Sequence, residues 1–287
     1  MTIGGTPPPL FIGVSLKMYF DHIQTLQWCE RVRAIAAQHP AIVSGAAELA
    51  VLPSSPALVP VFELFDGTPV QLGAQDIFWE DFGPFTGEVG GPYLRQAGCG
   101  YAMVGHAERR RIFHEDDAII TAKVDAAVRN NLIPILCVGE HEQMPTDQTA
   151  DVCIRQLQAA LAHVLNTGSP RRIIVAYEPE WAIGAAQPAA VSHISGVGLG
   201  VKQWLDAQDA LAGSQFIYGG SAGPGLLTEL GHAIDGIFLG RFAHKAEALR
   251  GILDEVLRLP PTEANETLVK AHLTPRSRIS KSHDVDT

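Results

Sequence analysis

The sequence predicts an α/β protein, a single-domain (β/α)8 barrel, and three observations lead there. Short apolar runs recur along the chain, helix-compatible stretches separate most of them, and 287 residues accommodate about eight such units. Strands alternating with helices build parallel sheets, because the crossover helix returns the chain to the same end of the sheet. About eight such units fit a closed barrel better than an open sheet, and barrels reach this length as one domain.

The expected strands are Leu10–Ser15, Leu49–Pro53, Val70–Asp76, Tyr101–Gly105, Ile133–Val138, Ile173–Tyr177, Phe216–Gly219 and Gly236–Gly240. Each is short, partly β-branched or aromatic, and bounded by glycine, proline or polar residues, which favours a buried strand over a helix core. Thr25–Ala36, Asp116–Asn130, Asp151–Val164 and Ala243–Leu257 instead space their apolar residues three or four apart, as one helix face requires. No repeat or Pro/Ser-rich linker divides the chain. Residues 1–9 are rich in glycine and proline and 259–287 turn polar, so solvated tails are expected on either side of a domain spanning 10–258.

Composition excludes several functions. Lys and Arg total 21 against 31 Asp and Glu, a net charge of −10, which argues against a nucleic-acid or anionic-membrane surface but not against a local basic pocket. No apolar run approaches the roughly 18 residues of a membrane span. Residues 1–9 lack the basic start and apolar stretch of a signal peptide, so a cytoplasmic protein is expected. Cys29, Cys99, Cys137 and Cys153 are scattered without a C-x-x-C pair, which suggests neither a disulfide framework nor a metal site.

Barrel chemistry gathers where strands end and the following loops begin. Lys17 follows the first strand, where a cation can aim into a pocket mouth; the blander reading is an exposed lysine lying along the rim. His106 follows the fourth, and a helix starting there would disfavour its imidazolium and leave a neutral hydrogen-bond donor, unless it merely caps or packs. Glu178 ends the sixth strand, where burying a carboxylate is costly without a function or a partner. The Pro, Trp and Gly that follow it have the build of a lid. Tyr218-Gly-Gly-Ser221 and Leu239-Gly-Arg241 follow the last two strands, where glycines let backbone N–H groups approach an anion. Each signal alone is weak, but a base, a neutral electrophile, a cation and an anion cradle at strand ends together argue for a site. Gly196-Val-Gly-Leu-Gly200 lacks nucleotide-loop spacing and follows no expected strand, so it is not read as a nucleotide site.

Over roughly residues 10–257 the chain resembles the triosephosphate isomerase family of TIM barrels. The resemblance rests on Ala176-Tyr-Glu-Pro-Glu-Trp-Ala-Ile-Gly184, Phe85-Thr-Gly-Glu88, Val104-Gly-His-Ala-Glu-Arg-Arg110, Cys137-Val-Gly-Glu140 and Tyr218-Gly-Gly-Ser221, in the family's order. It implies that Glu178 is the proton-shuttling base, His106 the neutral electrophile, Lys17 the electrostatic clamp and Glu108 a support from behind. It also implies phosphate contacts from Gly184, Ser221 and Gly240, a closing lid over 179–189, and no cofactor. A homodimer follows by the same resemblance, with Thr86 as the contact crossing into the partner's site.

Five departures from the family pattern stand out. Ser15-Leu16-Lys17-Met18-Tyr19 replaces Asn-Trp-Lys-Met-Asn, and Ser15 removes a substrate donor while freeing space. Ala107 replaces a serine. Arg241 replaces a small residue and adds a cation beside the phosphate cradle. Glu180 replaces an apolar residue in the lid. Ala185 and Ala186 replace a threonine and a glycine there, which should stiffen it. The resemblance implies interconversion of dihydroxyacetone phosphate and glyceraldehyde 3-phosphate, as in glycolysis and gluconeogenesis, and that is the reading favoured here by family precedent. The alternative is a four-carbon substrate, erythrulose 1-phosphate to erythrulose 4-phosphate in tetritol breakdown, which the space at Ser15 suits. A non-catalytic sugar-phosphate binder is disfavoured, since binding alone needs no base.

Overall fold

A computed structural model describes residues 8–168 and 171–260. The unit spanning 9–259 is a barrel of eight parallel strands. They are β1 (Leu10–Ser15), β2 (Ala47–Leu52), β3 (Gln71–Ala74), β4 (Tyr101–Val104), β5 (Ile133–Val138), β6 (Ile174–Tyr177), β7 (Gln215–Tyr218) and β8 (Gly236–Leu239). Closure is explicit in the register: β1 pairs with β2 through Leu10↔Ala47 to Ser15↔Leu52, and with β8 through Phe11↔Gly236 to Val14↔Leu239. All eight expected strands are present, β1 and β5 with the expected ends and the others with ends shifted by at most two residues. The tails expected over 1–9 and 259–287 lie almost wholly outside the described residues.

The helices are α1 (His22–Ala36), α2 (Pro40–Val43), α3 (Leu58–Phe65), α4 (Gly91–Gln96), α5 (Ala107–Phe113), α6 (Asp117–Arg129), α7 (Thr146–Ala160), α8 (Ala162–Thr167), α9 (Val191–Asp206), α10 (Leu226–Leu230) and α11 (Ala246–Arg258). Local sequence sets several of their starts. Asp21 and Gln24 form a reciprocal capping box on α1, and the Asp116 carboxylate accepts the Ile119 N–H at the start of α6. The helix expected over Asp151–Val164 is corrected in two ways. It begins earlier, where Pro145 presents its carbonyl to the Thr149 N–H, and it bends at Leu161, whose φ of −102° leaves the helical range. The helix expected from Ala243 starts at Ala246, after a 3₁₀ turn over Arg241–His244.

Side-chain alternation divides the core in two. Phe11, Ala50, Leu52, Tyr101, Met103, Ile135, Cys137, Ile174, Ala176, Ile217 and Phe238 fill the barrel interior, while the larger cluster lies between strands and helices. Arg172, Glu48, Tyr101 and Gln215 close the lower end with a hydrogen-bonded ion pair. The Gly196–Gly200 segment lies inside α9 and serves packing. A Cβ on Gly196 would come within 2.5 Å of Thr146, and one on Gly200 within 2.9 Å of Ala150, so the glycines let α9 lie close against α7. All four cysteines are free thiols and buried, and burial pushes Cys29 and Cys99 up to about 12.

Candidate active site

The upper mouth of the barrel opens into a cavity of about 880 Å³. It is lined by Ser15, Lys17, His106, Glu108, Glu178, Gly184, Ser221, Gly240 and Arg241, so the site residues expected at the strand ends all meet there. Thr86 does not; it is exposed on the loop between β3 and α4.

Glu178 leaves β6 with its backbone N–H donated to Val138 O at 2.8 Å, which carries its side chain into the mouth. The residue is 3% exposed, and its Oε2 is buried without a hydrogen-bond partner among the described residues. A partnerless buried carboxylate oxygen is expensive and calls for a functional account. The Cys137 thiol is pushed well above its ordinary value by burial first, and then by the nearby Glu178 carboxylate. Gly219 is required beside it, because a Cβ there would fall 2.8 Å from Glu178 Cγ.

His106 caps the first turn of α5, and its Nδ1 accepts the Glu108 N–H at 3.1 Å. A ring nitrogen that accepts an N–H carries no proton, which leaves the hydrogen of a neutral ring on Nε2. That nitrogen stands 3.6 Å from Glu178 Oε2. A carboxylate oxygen and an N–H thus stand side by side on the cavity wall, where both can reach adjacent atoms of one substrate.

Lys17 adopts a left-handed conformation, φ +46°, uncommon for a side-chain-bearing residue. Its carbonyl is held by Ser54 Oγ at 2.9 Å and Gln75 Nε2 at 3.0 Å, and its N–H by Ser15 Oγ at 3.3 Å. These contacts from the ends of three strands fix a backbone that would otherwise relax. Nζ donates to Glu108 Oε1 at 2.6 Å. Burial raises the Glu108 carboxyl, but the Lys17 hydrogen bond and charge outweigh it and hold the group below the usual carboxylate range. Behind them a buried network ties α5 to α6: Lys123 Nζ reaches Asp76 and Glu115 at 2.6 Å each, and Arg109 reaches the same two carboxylates.

The segment 179–189 covers one side of the cavity and is fastened at both ends. At its start the Glu180 N–H donates to Glu140 O at 3.0 Å, and Trp181 Nε1 donates to Glu140 Oε1 at 2.7 Å. At its end the Ala189 N–H donates to Tyr218 Oη at 3.0 Å. In between, Ser221 Oγ lies 3.0 Å from Ala182 O and 2.9 Å from Ala185 O. Glu180 Oε2 meets His141 Nδ1 at 2.8 Å, and that hydrogen bond and charge raise the His141 imidazole above its ordinary value.

Arg111, Ile183 and Phe238 also line the cavity, and sequence reasoning did not single them out. Arg111 lies one helical turn beyond Glu108, a spacing that could have drawn attention to it. Phe238 faces inward by strand alternation, but an apolar side chain looks the same in sequence whether it lines a core or a site.

A closed barrel with a carboxylate, an imidazole N–H and a paired lysine at its upper mouth defines a barrel isomerase that moves protons between neighbouring carbons. The family model for triosephosphate isomerase matches residues 10–256. The chain is 50% identical over 250 residues to an L-erythrulose-1-phosphate isomerase of Pectobacterium atrosepticum, covering 87% of this chain and 96% of that one. It is 38% identical over 220 residues to a triosephosphate isomerase of Moorella thermoacetica, covering 75% and 88%. A crystal structure of triosephosphate isomerase from Bartonella henselae superposes with a TM-score of 0.72 at 28% identity, covering 88% of this chain and 99% of that one. The chain belongs to the triosephosphate isomerase family and is a sugar-phosphate isomerase of that type.

Proposed function

We propose that the chain isomerises a four-carbon ketose phosphate, converting erythrulose 1-phosphate to erythrulose 4-phosphate. The observation that carries this reading is the 50% identity with the L-erythrulose-1-phosphate isomerase, nearly end to end, against 38% with the triosephosphate isomerase of Moorella thermoacetica. The preference for the triose drawn from sequence alone gives way to it. Ser15 supports the same direction: it is smaller than the family's asparagine, and its hydroxyl turns to the Lys17 N–H, which leaves room for one more hydroxymethyl group.

In this reading Glu178 takes the proton from the hydroxyl-bearing carbon beside the carbonyl, and the electron pair of that bond forms an enediolate. The His106 Nε2–H and Lys17 stabilise the charge developing on oxygen, with Glu108 orienting the lysine. This enzyme family is itself the standard example of a glutamate base paired with a neutral histidine. A proton passes from the hydroxyl oxygen to the former carbonyl oxygen through His106 Nε2, and Glu178 returns its own proton to the former carbonyl carbon, so carbonyl and hydroxyl exchange places and the phosphate stays on its carbon. Gly184, Ser221 and Gly240 hold that phosphate while the lid excludes water. No redox step occurs between enzyme and substrate.

The assembly belongs to the same proposal. Met18 is 91% exposed and Phe82 79%, large apolar side chains on the loops after β1 and β3, and a second copy of the chain would cover them with Thr86 reaching across. Incubation in deuterated water tests the chemistry directly. The expected result is one solvent deuteron at the former carbonyl carbon of the product, and at the carbon that lost its proton in substrate that is re-formed; no exchange into any small ketose phosphate would remove the isomerase assignment of Glu178.

A further inference from the structure

We propose that Arg241 is a side-chain ligand for the substrate phosphate, acting from the β8 loop against the lid and setting a preference for a dianion. This rests on the sugar-phosphate reading of the same cavity. Arg241 directly follows Gly240 and lines the cavity beside Gly184, Ser221 and Gly240, where an anion would be held by backbone N–H groups. Its guanidinium reaches the lid: a Cβ on Gly184 would lie 3.6 Å from Arg241 Nη2. Gly184 has φ +72°, so the lid's N–H groups turn there in a conformation that a side chain would strain.

Charge accounting on the cavity points the same way. Lys17 is committed to Glu108 at 2.6 Å, and Arg111, which also lines the cavity without an ion-pair partner among the described residues, stands one turn along α5 with its charge acting on Glu108, so both cations belong to the Glu108 side. Arg241 has no ion-pair partner among the described residues, although the protein carries a net charge of −10 and Glu180 and Glu229 line the same cavity. The neighbouring His244 is held below its ordinary value, by burial first and then by the Arg241 charge, so the turn over 241–244 carries its cation on the arginine. A guanidinium presents a planar fork of donors that matches phosphate oxygens in pairs, which a backbone cradle alone does not supply. The lid, the β7 loop and the β8 loop meet at this point, since Ser221 Oγ already lies within bonding distance of the lid carbonyls of Ala182 and Ala185. A phosphate seated among them would be gripped by Arg241 and Gly184 together, so its charge would favour the closed lid.

Calorimetric titration with inorganic phosphate, in place of the sugar phosphate, tests this without relying on turnover. The variants are Arg241→Ala, Arg241→Lys and, as a control of equal charge change on an exposed residue away from the cavity, Lys245→Ala. A charge-assisted contact implies a loss of about 10- to 100-fold in phosphate affinity for Arg241→Ala. Arg241→Lys should recover part of it, and Lys245→Ala should leave affinity unchanged. Equal affinity in Arg241→Ala and the unaltered protein, an equal loss in Lys245→Ala, or no phosphate binding by the unaltered protein would each overturn the proposal. With tetrulose phosphate as substrate, Arg241→Ala should raise KM more than it lowers kcat. Arg241-dependent phosphate binding without turnover of any ketose phosphate would remove the isomerase reading and leave Arg241 as an anion ligand. Turnover with unchanged phosphate affinity in Arg241→Ala would do the reverse.

Discussion

At the scale of residues, the site is a set of unusual local states held in place by ordinary contacts. Lys17 keeps φ +46° because Ser54, Gln75 and Ser15 bond its backbone. Glu178 keeps a bare buried oxygen because β6 and the β5 end fix its backbone and Gly219 gives its side chain room. In the proposed role of base, a carboxylate so placed would depend on position more than on acidity. Glu178→Asp retracts the carboxylate by one methylene, and a displacement of that size is expected to lower kcat on the order of 100-fold with KM nearly unchanged. Steady-state kinetics checks it; comparable kcat values would mean that another group removes the proton. Glu178, His106 and Lys17 were legible in the sequence because each is a polar residue where an apolar strand ends. The φ of Lys17 and the inward face of Phe238 were not, since both depend on what neighbouring strands bring to the same place.

Among the elements, the lid and the α7–α9 contact carry the clearest expectations. The Glu180–His141 pair anchors the start of the lid, and its histidine is raised by that partner. A raised imidazole contributes stabilisation that is complete below its unfolded value and is lost as pH rises through its folded value. Glu180→Gln should therefore bring the His141 titration, followed by NMR, back down to that of an ordinary imidazole; an unmoved midpoint would mean that the pair does not form in solution. Glycine to alanine should act with opposite signs on two helices. On α9, a Cβ at position 198 would lie 2.8 Å from the Ala233 carbonyl oxygen, so Gly198→Ala should cost about 1–3 kcal/mol despite the better helix propensity. On α11, a Cβ at Gly251 meets nothing within 4 Å, so Gly251→Ala should stabilise by about 0.5–1 kcal/mol. Urea unfolding of both variants decides it, and changes of the same sign would contradict the packing described. The strands were readable because each is a short apolar run between breakers. The glycine segment within α9 was set aside as a nucleotide site for its spacing, but its packing role needed the position of α7.

For the molecule as a whole, the barrel follows from strand and helix alternation, while its closure rests on pairing between β1 and β8 that the alternation only makes possible. The negative total charge is compatible with the proposed anion site because that cradle would be local, drawing on backbone N–H groups, a paired lysine and the arginines that line the cavity. The chain's substrate was the part least visible in sequence: the space at Ser15 pointed to a four-carbon sugar and family precedent to the triose, and nothing in the residues alone weighed one against the other. The most direct test of the account is kcat/KM for erythrulose 1-phosphate and dihydroxyacetone phosphate measured side by side on the same preparation. The account predicts a clear preference for the four-carbon substrate, and a ratio favouring the triose would contradict it.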